Sequence, residues 1–241
     1  MNELQKQYEK QISELVEASH RCAELNFVTG AGGNLSQRVE DNVLLITPAA
    51  ILKRKMRFDD ICAIDLTGKV LYAPEGLKPT GEWYIHTRIM NKRPDIKAIA
   101  HAHTPVLTGF AIAADGTLDK PFLPEPVTEI GPILTIPFGA EIVQDPEHSR
   151  KFDDLIIKSN GFLMENHGSI FLSRKGVEDA VELLTMAECM AQSIVLASVL
   201  GNAKPLSREH ISGMDKMISA FRMKLPGAEG YASTASELFS L

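Results

Sequence analysis

The stretch 96-IKAIAHAHTP-105 decides how the rest of the chain is read. It is a run of small apolar residues ending in two histidines one residue apart, closed by Thr104-Pro105. In an extended chain side chains alternate between faces. Lys97, Ile99, His101 and His103 then share one face, and Ile96, Ala98, Ala100 and Ala102 the other. The two imidazoles become neighbours, roughly 6–7 Å apart at Cα, a spacing that one metal ion can bridge. Read alone, such a pair is equally well a half-buried pair of strand side chains.

Working outward, "TGEWYIHTRIMNKRP" before it reads as a helix closed by Pro94, and "PVLTGFAIAA" after it as a helix with proline in its first turn. Toward the N-terminus, "NVLLITP" and "ICAIDLTGKVLYA" read as strands, with Thr67-Gly68 as a hairpin turn. "VTGAGGNLSQRV" is a glycine-rich turn entering a strand. Asn2 to Phe27 reads as one helix, its stripe carried by Leu4, Tyr8, Ile12, Leu15, Val16 and Cys22.

Toward the C-terminus, "DKPFLPEPVTEIGP" reads as irregular and "ILTIPF" as a strand. "DPEHSRKFDDLIIKSN" reads as a helix that Gly161 ends. "GFLMENHGSIFLS" gives two short strands around a tight Asn-His-Gly turn, and a long helix follows from Gly176. Beyond Pro205 one amphipathic helix is expected, and "PGAEGYASTASEL" is expected to be loosely ordered. Strands and helices mix without a regular βαβ alternation. This predicts a single α/β domain with a largely antiparallel central sheet.

Composition narrows the function classes. The chain has 241 residues, 44% hydrophobic and 23% charged, with a net charge of −6. That balance is ordinary for a globular protein and argues against a nucleic-acid partner, which favours a basic face. Met1 to Ala18 is charged, with no apolar core of a leader, so none is expected. Ala180 to Leu200 is the most apolar segment, but Glu182 and Glu188 interrupt it. It reads as a buried or interface helix, with no membrane partner. Cys22, Cys62 and Cys189 form neither a disulfide framework nor a CxxC site. They are expected to be reduced, mostly buried thiols of a cytoplasmic protein.

Two histidines do not complete a metal site; catalytic zinc commonly takes three protein ligands and leaves a position open. His167, beside glycine in a strand-to-strand turn, is the best third candidate. His148 and His210 fall on surface helices, and His20 and His86 on helix faces. Glu82 follows "KPTG" at the start of a helix, where the helix dipole favours a carboxylate and Thr80 can cap. By itself that describes an ordinary helix start. "GAGGNLS", Gly30 to Ser36, offers backbone amides for an anion, though a plain glycine-rich turn has the same composition.

Taken together, "GAGGNLSQR" (30–38), "LITP" (45–48), "KPTGEWYIH" (78–86), "RPDIKAIAHAHTP" (93–105) and "ENHG" (165–168) resemble the class II aldolase/adducin family, in its L-fuculose-1-phosphate aldolase branch. The resemblance covers about residues 5–200. It implies one three-layer α/β/α domain over residues 1–241 around a mainly antiparallel sheet, with a C-terminal helix and loose tail at 205–241. It also implies a cyclic homotetramer with interfacial active sites. His101, His103 and His167 match the family's zinc-binding histidines, with another divalent transition metal as the alternative cofactor. Glu82 matches its acid/base. Gly33 and Asn34 match the pair that helps hold the substrate phosphate.

Ala49-Ala50 and Thr80-Gly81 occupy the other phosphate-side positions, where the branch carries more hydroxyls. Each hydroxyl lost there removes a charge-assisted hydrogen bond of roughly 1.5–3 kcal/mol. The branch's interfacial tyrosine has no counterpart in "PEPVTEIGP"; Glu129 and Tyr231 are the residues that can stand in for it.

The implied activity is zinc-dependent cleavage of a small ketose phosphate, through a metal-stabilised enediolate, to dihydroxyacetone phosphate and an aldehyde. A decarboxylase or epimerase of a sugar acid or aromatic acid is the alternative enzyme. A non-catalytic adducin-like interaction module is disfavoured, because the complete histidine set and the glutamate are present.

Overall fold

The structure is a computed structural model and describes residues 2–113, 117–139 and 146–241, with side chains of the last segment from 149 onward. The predicted helix ends at Ala114 and Asp145 and the side chain of His148 lie outside the described residues. The described residues gather into two compact units: Met1–Pro105 with Ile170–Glu182, and Val106–Ser169 with Leu183–Leu241.

The first unit opens with α1 (Glu3–Gln7) and α2 (Glu9–Glu24), where the sequence predicts one helix. The break is Tyr8, whose φ of −116° leaves the helical region. Its phenol turns instead to the Glu40 carboxylate. The α2 face carrying Ile12, Leu15, Ala18 and Cys22 is buried, as three- and four-residue steps require.

The strands β1 (Asn34–Glu40), β2 (Val43–Ile46), β3 (Cys62–Ile64) and β4 (Val70–Tyr72) form an antiparallel meander. Between β3 and β4 the predicted Thr67-Gly68 turn is present. Asp65 Oδ1 accepts the Thr67 and Lys69 amides at 2.8 and 3.0 Å. Gly68 has φ +88° and lies so close under Trp83 that a Cβ would meet its ring at 2.0 Å. Then come α3 (Trp83–Lys92) and β5 (Ala98–Ala102), which pairs antiparallel with β1. Between them Arg93, fully buried, grips Asp95 with Nε and Nη2, both at 2.8 Å. Arg174 adds a third bond to the same carboxylate at 2.8 Å.

The second unit contains α4 (Pro105–Ile112), α5 (Pro124–Glu129), β6 (Leu134–Ile136), α6 (Pro146–Ile156) and β7 (Gly161–Met164). The sequence predicts no element at α5. Its prolines suggest a breaker, but Pro124 stands at the start of the helix, where a locked φ and a missing N–H are tolerated. β6 and β7 are parallel, and Phe152 meets Phe162 edge to face at 5.7 Å. Next come β8 (Gly168–Ser173), α7 (Val177–Leu200), α8 (Arg208–Phe221) and α9 (Ala235–Leu238). Among the described residues the strands form one eight-stranded sheet in the order β4-β3-β2-β1-β5-β8-β7-β6. The fold is a mixed α/β fold with a mainly antiparallel central sheet.

The tail is not loose. Val127, Ile211, Ile218, Leu225 and Ala235 make a buried cluster. Asp215 accepts the Ala235 amide at 2.7 Å and the Ser236 hydroxyl at 2.5 Å. The small polar residues that make 226–238 read as loop supply caps instead: the Thr234 hydroxyl receives the Glu237 amide at 3.0 Å.

Among the described residues, α7 is long and apolar enough to cross a membrane by length and composition. Within it, however, buried Glu188 accepts the Val106 and Leu107 amides, both at 2.9 Å, and so caps the start of α4. Cys22 and Cys62 are buried as expected, while Cys189 is exposed.

Candidate metal centre

The strand pairing builds the site. Asn34 on β1 stands opposite His101 on β5, so their side chains share a face. Ser36, two residues along, shares it too. The α3 helix lies over that face and contributes Glu82 at its N-cap and His86 one turn later.

His101 is 1% exposed and His103 half-buried. Their rings meet at 69° with centroids 4.9 Å apart, and their Nε2 atoms are 3.1 Å apart. Two imidazole nitrogens at ~2.0–2.1 Å from one tetrahedral ion stand roughly 3.3 Å apart, so this pair has the separation a shared ion requires. Glu82 Oε2 lies 3.4 Å from His101 Nε2. His167 sits in the β7–β8 turn, after Asn166 at φ +54°, and its amide donates to Met164 O at 3.1 Å. The donor nitrogens of His101, His103 and His167 all lie within 4.8 Å of one another. A set of three imidazoles suits zinc and, with less selectivity, other first-row divalent ions.

The glycine-rich turn runs beside these rings. A Cβ on Gly32 would come within 3.3 Å of His103 Nδ1. Gly33, at φ +67°, passes so close to β5 that a Cβ would lie 2.8 Å from His101 O. Asn34 is 3% exposed, and both ends of its amide are engaged: Nδ2 donates to Glu82 Oε2 at 2.6 Å, and Oδ1 faces His86 Nε2 at 2.5 Å.

The two alanine and threonine-glycine segments are joined backbone to backbone. The Ala49 amide donates to Lys78 O at 2.9 Å, and the Thr80 amide to Thr47 O at 3.1 Å. Ala49 and Ala50 are exposed, and Ala50 takes φ +62°, a left-handed conformation that disfavours a side chain. Thr80 is not the cap the sequence suggests. Glu82 holds the N-cap position, and the Thr80 hydroxyl only receives the Glu82 amide at 3.4 Å.

Sequence reasoning passed over three residues here. His86, read as a helix-face histidine, is fully buried, and Ser36 bonds its Nδ1 at 2.7 Å. The signal was available: Glu82 and His86 are four apart on a helix and Asn34 and Ser36 two apart on a strand, so each pair shares a face. Lys53 is 2% exposed, with Nζ 3.5 Å from both Ala31 O and Ile51 O. Burial lowers its pKa to about 8. Nothing in its local sequence, "LKRKM", distinguishes it from its exposed neighbours.

Residues 13–195 match the family described as Class II Aldolase and Adducin N-terminal domain. The L-fuculose phosphate aldolase of Methanococcus vannielii is 29% identical over 63% of this chain and 82% of its own length. The 3-oxo-tetronate 4-phosphate decarboxylase of Haemophilus influenzae is also 29% identical, over 65% of this chain and 73% of its own. A methylthioribulose-1-phosphate dehydratase of Methylococcus capsulatus is 26% identical, over 73% and 88%. Among solved structures, an L-fuculose 1-phosphate aldolase superposes with a TM-score of 0.73 at 25% identity, over 89% of this chain and 97% of that one. YgbL from Escherichia coli, at 21% identity and a TM-score of 0.74 over 84% and 96%, shares the fold.

Proposed function

Because the chain belongs to the class II aldolase and adducin family, whose enzymes are generally metal dependent, we propose that it is a zinc lyase acting on a small phosphorylated ketose. The reading is aldol cleavage of an L-fuculose-1-phosphate-like substrate to dihydroxyacetone phosphate and an aldehyde. The observation that carries it is the gathering of three imidazoles, with the Glu82 carboxylate 3.4 Å from His101.

His101, His103 and His167 hold the ion, and an ion bound there supplies a Lewis acid for the substrate's carbonyl and hydroxyl oxygens. Glu82 exchanges a proton with the carbon beside that carbonyl. Asn34 engages one of its carboxylate oxygens and so limits its rotation. The turn at Gly33 and Asn34, with the 49–50 and 80–81 segments, orients the phosphate end, and only Thr80 among the last four residues brings a hydroxyl. A homotetramer is part of the proposal. The exposed Val195, Leu196, Val199 and Leu200 at the end of α7 offer an apolar surface for subunit contact.

A second reading, decarboxylation of a 3-oxo sugar-acid phosphate, is favoured by one specific feature. Residues 124–132 contain no tyrosine to take up the hydroxyl proton as the aldehyde forms, and loss of carbon dioxide needs no such group.

Zinc-replete protein incubated with ketose 1-phosphates and 3-oxo-tetronate 4-phosphate, with products identified by mass, separates the two. Triose phosphate plus aldehyde is the expected result. Carbon dioxide without triose phosphate would overturn the aldolase reading in favour of the second. Glu82→Gln is expected to keep the metal and to lower turnover by about 10²–10⁴-fold.

A further inference from the structure

Four side chains form a continuous hydrogen-bonded chain beneath the proposed base: Ser36 Oγ to His86 Nδ1 at 2.7 Å, His86 Nε2 to Asn34 Oδ1 at 2.5 Å, and Asn34 Nδ2 to Glu82 Oε2 at 2.6 Å. Ser36, His86 and Asn34 are all buried, at 0%, 0% and 3% exposure. Each link has one permitted direction. A carboxylate only accepts, so the amide of Asn34 must turn its NH2 toward Glu82 and its oxygen toward His86. That oxygen also only accepts, so His86 Nε2 must carry a proton. A neutral imidazole then has its lone pair at Nδ1, and the Ser36 hydroxyl must donate there.

We propose that His86, locked as its Nε2–H tautomer by Ser36, is a positioning residue that sets the orientation of the Asn34 amide and through it the Glu82 carboxylate. The inference rests on the reading of Glu82 as the proton-transferring group. Burial, opposed by the Glu82 carboxylate, lowers the pKa of His86 to about 4 and keeps the ring neutral at physiological pH. Asn34 and Ser36 lie on one strand, so the ring spans two points of β1 and cannot rotate without breaking one bond. Without the donor at Nε2, the Asn34 oxygen loses its partner. The amide is then able to flip, turning an acceptor toward the carboxylate.

Two measurements on the zinc-replete full chain test this. Ring ¹⁵N spectra, with His86 assigned by the signal lost in His86→Gln, are expected to show a neutral ring protonated at Nε2. A proton on Nδ1, or on both nitrogens, would overturn the proposal whether or not any substrate turns over. In kinetics, His86→Phe is expected to lower kcat by about 10–100-fold, the range for partners that orient site residues, with KM within about twofold and zinc content unchanged. His86→Gln, which restores an N–H donor, is expected to recover most of the loss.

Ser36→Ala, which leaves the ring in place, is expected to lower kcat by a smaller factor and provides the test if His86→Phe does not fold. In an Asn34→Ala background, His86→Gln and Ser36→Ala are expected to add nothing. Losses that multiply there would mean His86 acts other than through Asn34. If the wild-type protein turns over no sugar phosphate or sugar acid, the functional reading fails, and the ring spectra still decide the hydrogen-bond chain.

Discussion

Gly33 and His101 are in backbone contact: a Cβ on Gly33 would sit 2.8 Å from the carbonyl oxygen of His101 and 2.6 Å from Val28 Cγ1. The strand that carries a proposed metal ligand is therefore laid directly against a residue with no side chain. Gly33 also takes φ +67°, where an L-residue is strained. Gly33→Ala is expected to destabilise the protein by about 3 kcal/mol, from left-handed strain and overpacking together. It should also weaken zinc binding by displacing the end of β5. Denaturant midpoints and metal content after dialysis check both; wild-type values for both would refute the contact.

The acid limb of stability should carry the signature of His86. Its pKa falls from 6.5 unfolded to about 4 folded, because burial disfavours the charged ring. Between those values the unfolded chain binds the extra proton, so stability rises with pH from about 4 to 6.5 and is lost as pH falls through that window. The span corresponds to about 3 kcal/mol. Unfolding free energies measured from pH 4 to 7 for the wild type and for His86→Gln should differ by an amount that grows in favour of the wild type as pH rises. A constant difference would show that the ring does not titrate in this window.

Asp95 is held between two guanidinium groups, Arg93 fully buried and Arg174 partly so. Burial raises its pKa, but the bonds from Arg93 and Arg174 outweigh that and bring it down to about 2. Its contribution is therefore complete above pH 3.8 and lost as pH falls through about 2. Asp95→Asn removes the carboxylate that Arg93 and Arg174 both grip, and is expected to cost about 3 kcal/mol at pH 7. Thermal and denaturant unfolding read the loss, and Arg174→Gln, at the more exposed partner, should cost less.

Lys53 should act in the opposite sense. Its pKa falls from 10.5 to about 8 on burial, so below pH 8 the folded state bears a buried charge that the unfolded chain solvates. Lys53→Met is expected to be more stable than the wild type at pH 7 by up to about 3 kcal/mol. The advantage should shrink from pH 8 to 10.5, where the folded lysine has released its proton and the unfolded one has not. A variant less stable than the wild type at pH 7 would mean that the contacts to Ala31 O and Ile51 O outweigh desolvation.

Much of this protein is legible in one dimension, because the relevant physics is local. Alternation places Lys97, Ile99, His101 and His103 on one face before any partner is known, and in β5 Ile99 and His101 stand opposite Ser36 and Asn34, as that alternation requires. The Thr67-Gly68 and Asn166-His167 turns are written in residues whose backbone preferences are intrinsic. The α2 stripe follows from 3.6 residues per turn. Where local reading failed, it had a local reason. Pro124 looks like a helix breaker unless its position within the helix is known, and 226–238 look like loop until Asp215 is there to receive their amides.

The sequence by itself determined the candidate histidine and glutamate set and the family the chain belongs to, since periodicity and motif order need no knowledge of distant contacts. Only the tertiary structure decided which residues support them. The alignment of Asn34 with His101 comes from strand register, and the meeting of His86 with Asn34 and Ser36 from the seating of α3 on the sheet. Burial of Arg93 and Lys53, with their charges, is likewise a property of packing. Desolvation and hydrogen-bond direction depend on what surrounds a group in space, and residues separated by fifty positions carry no mark of each other until the chain is folded.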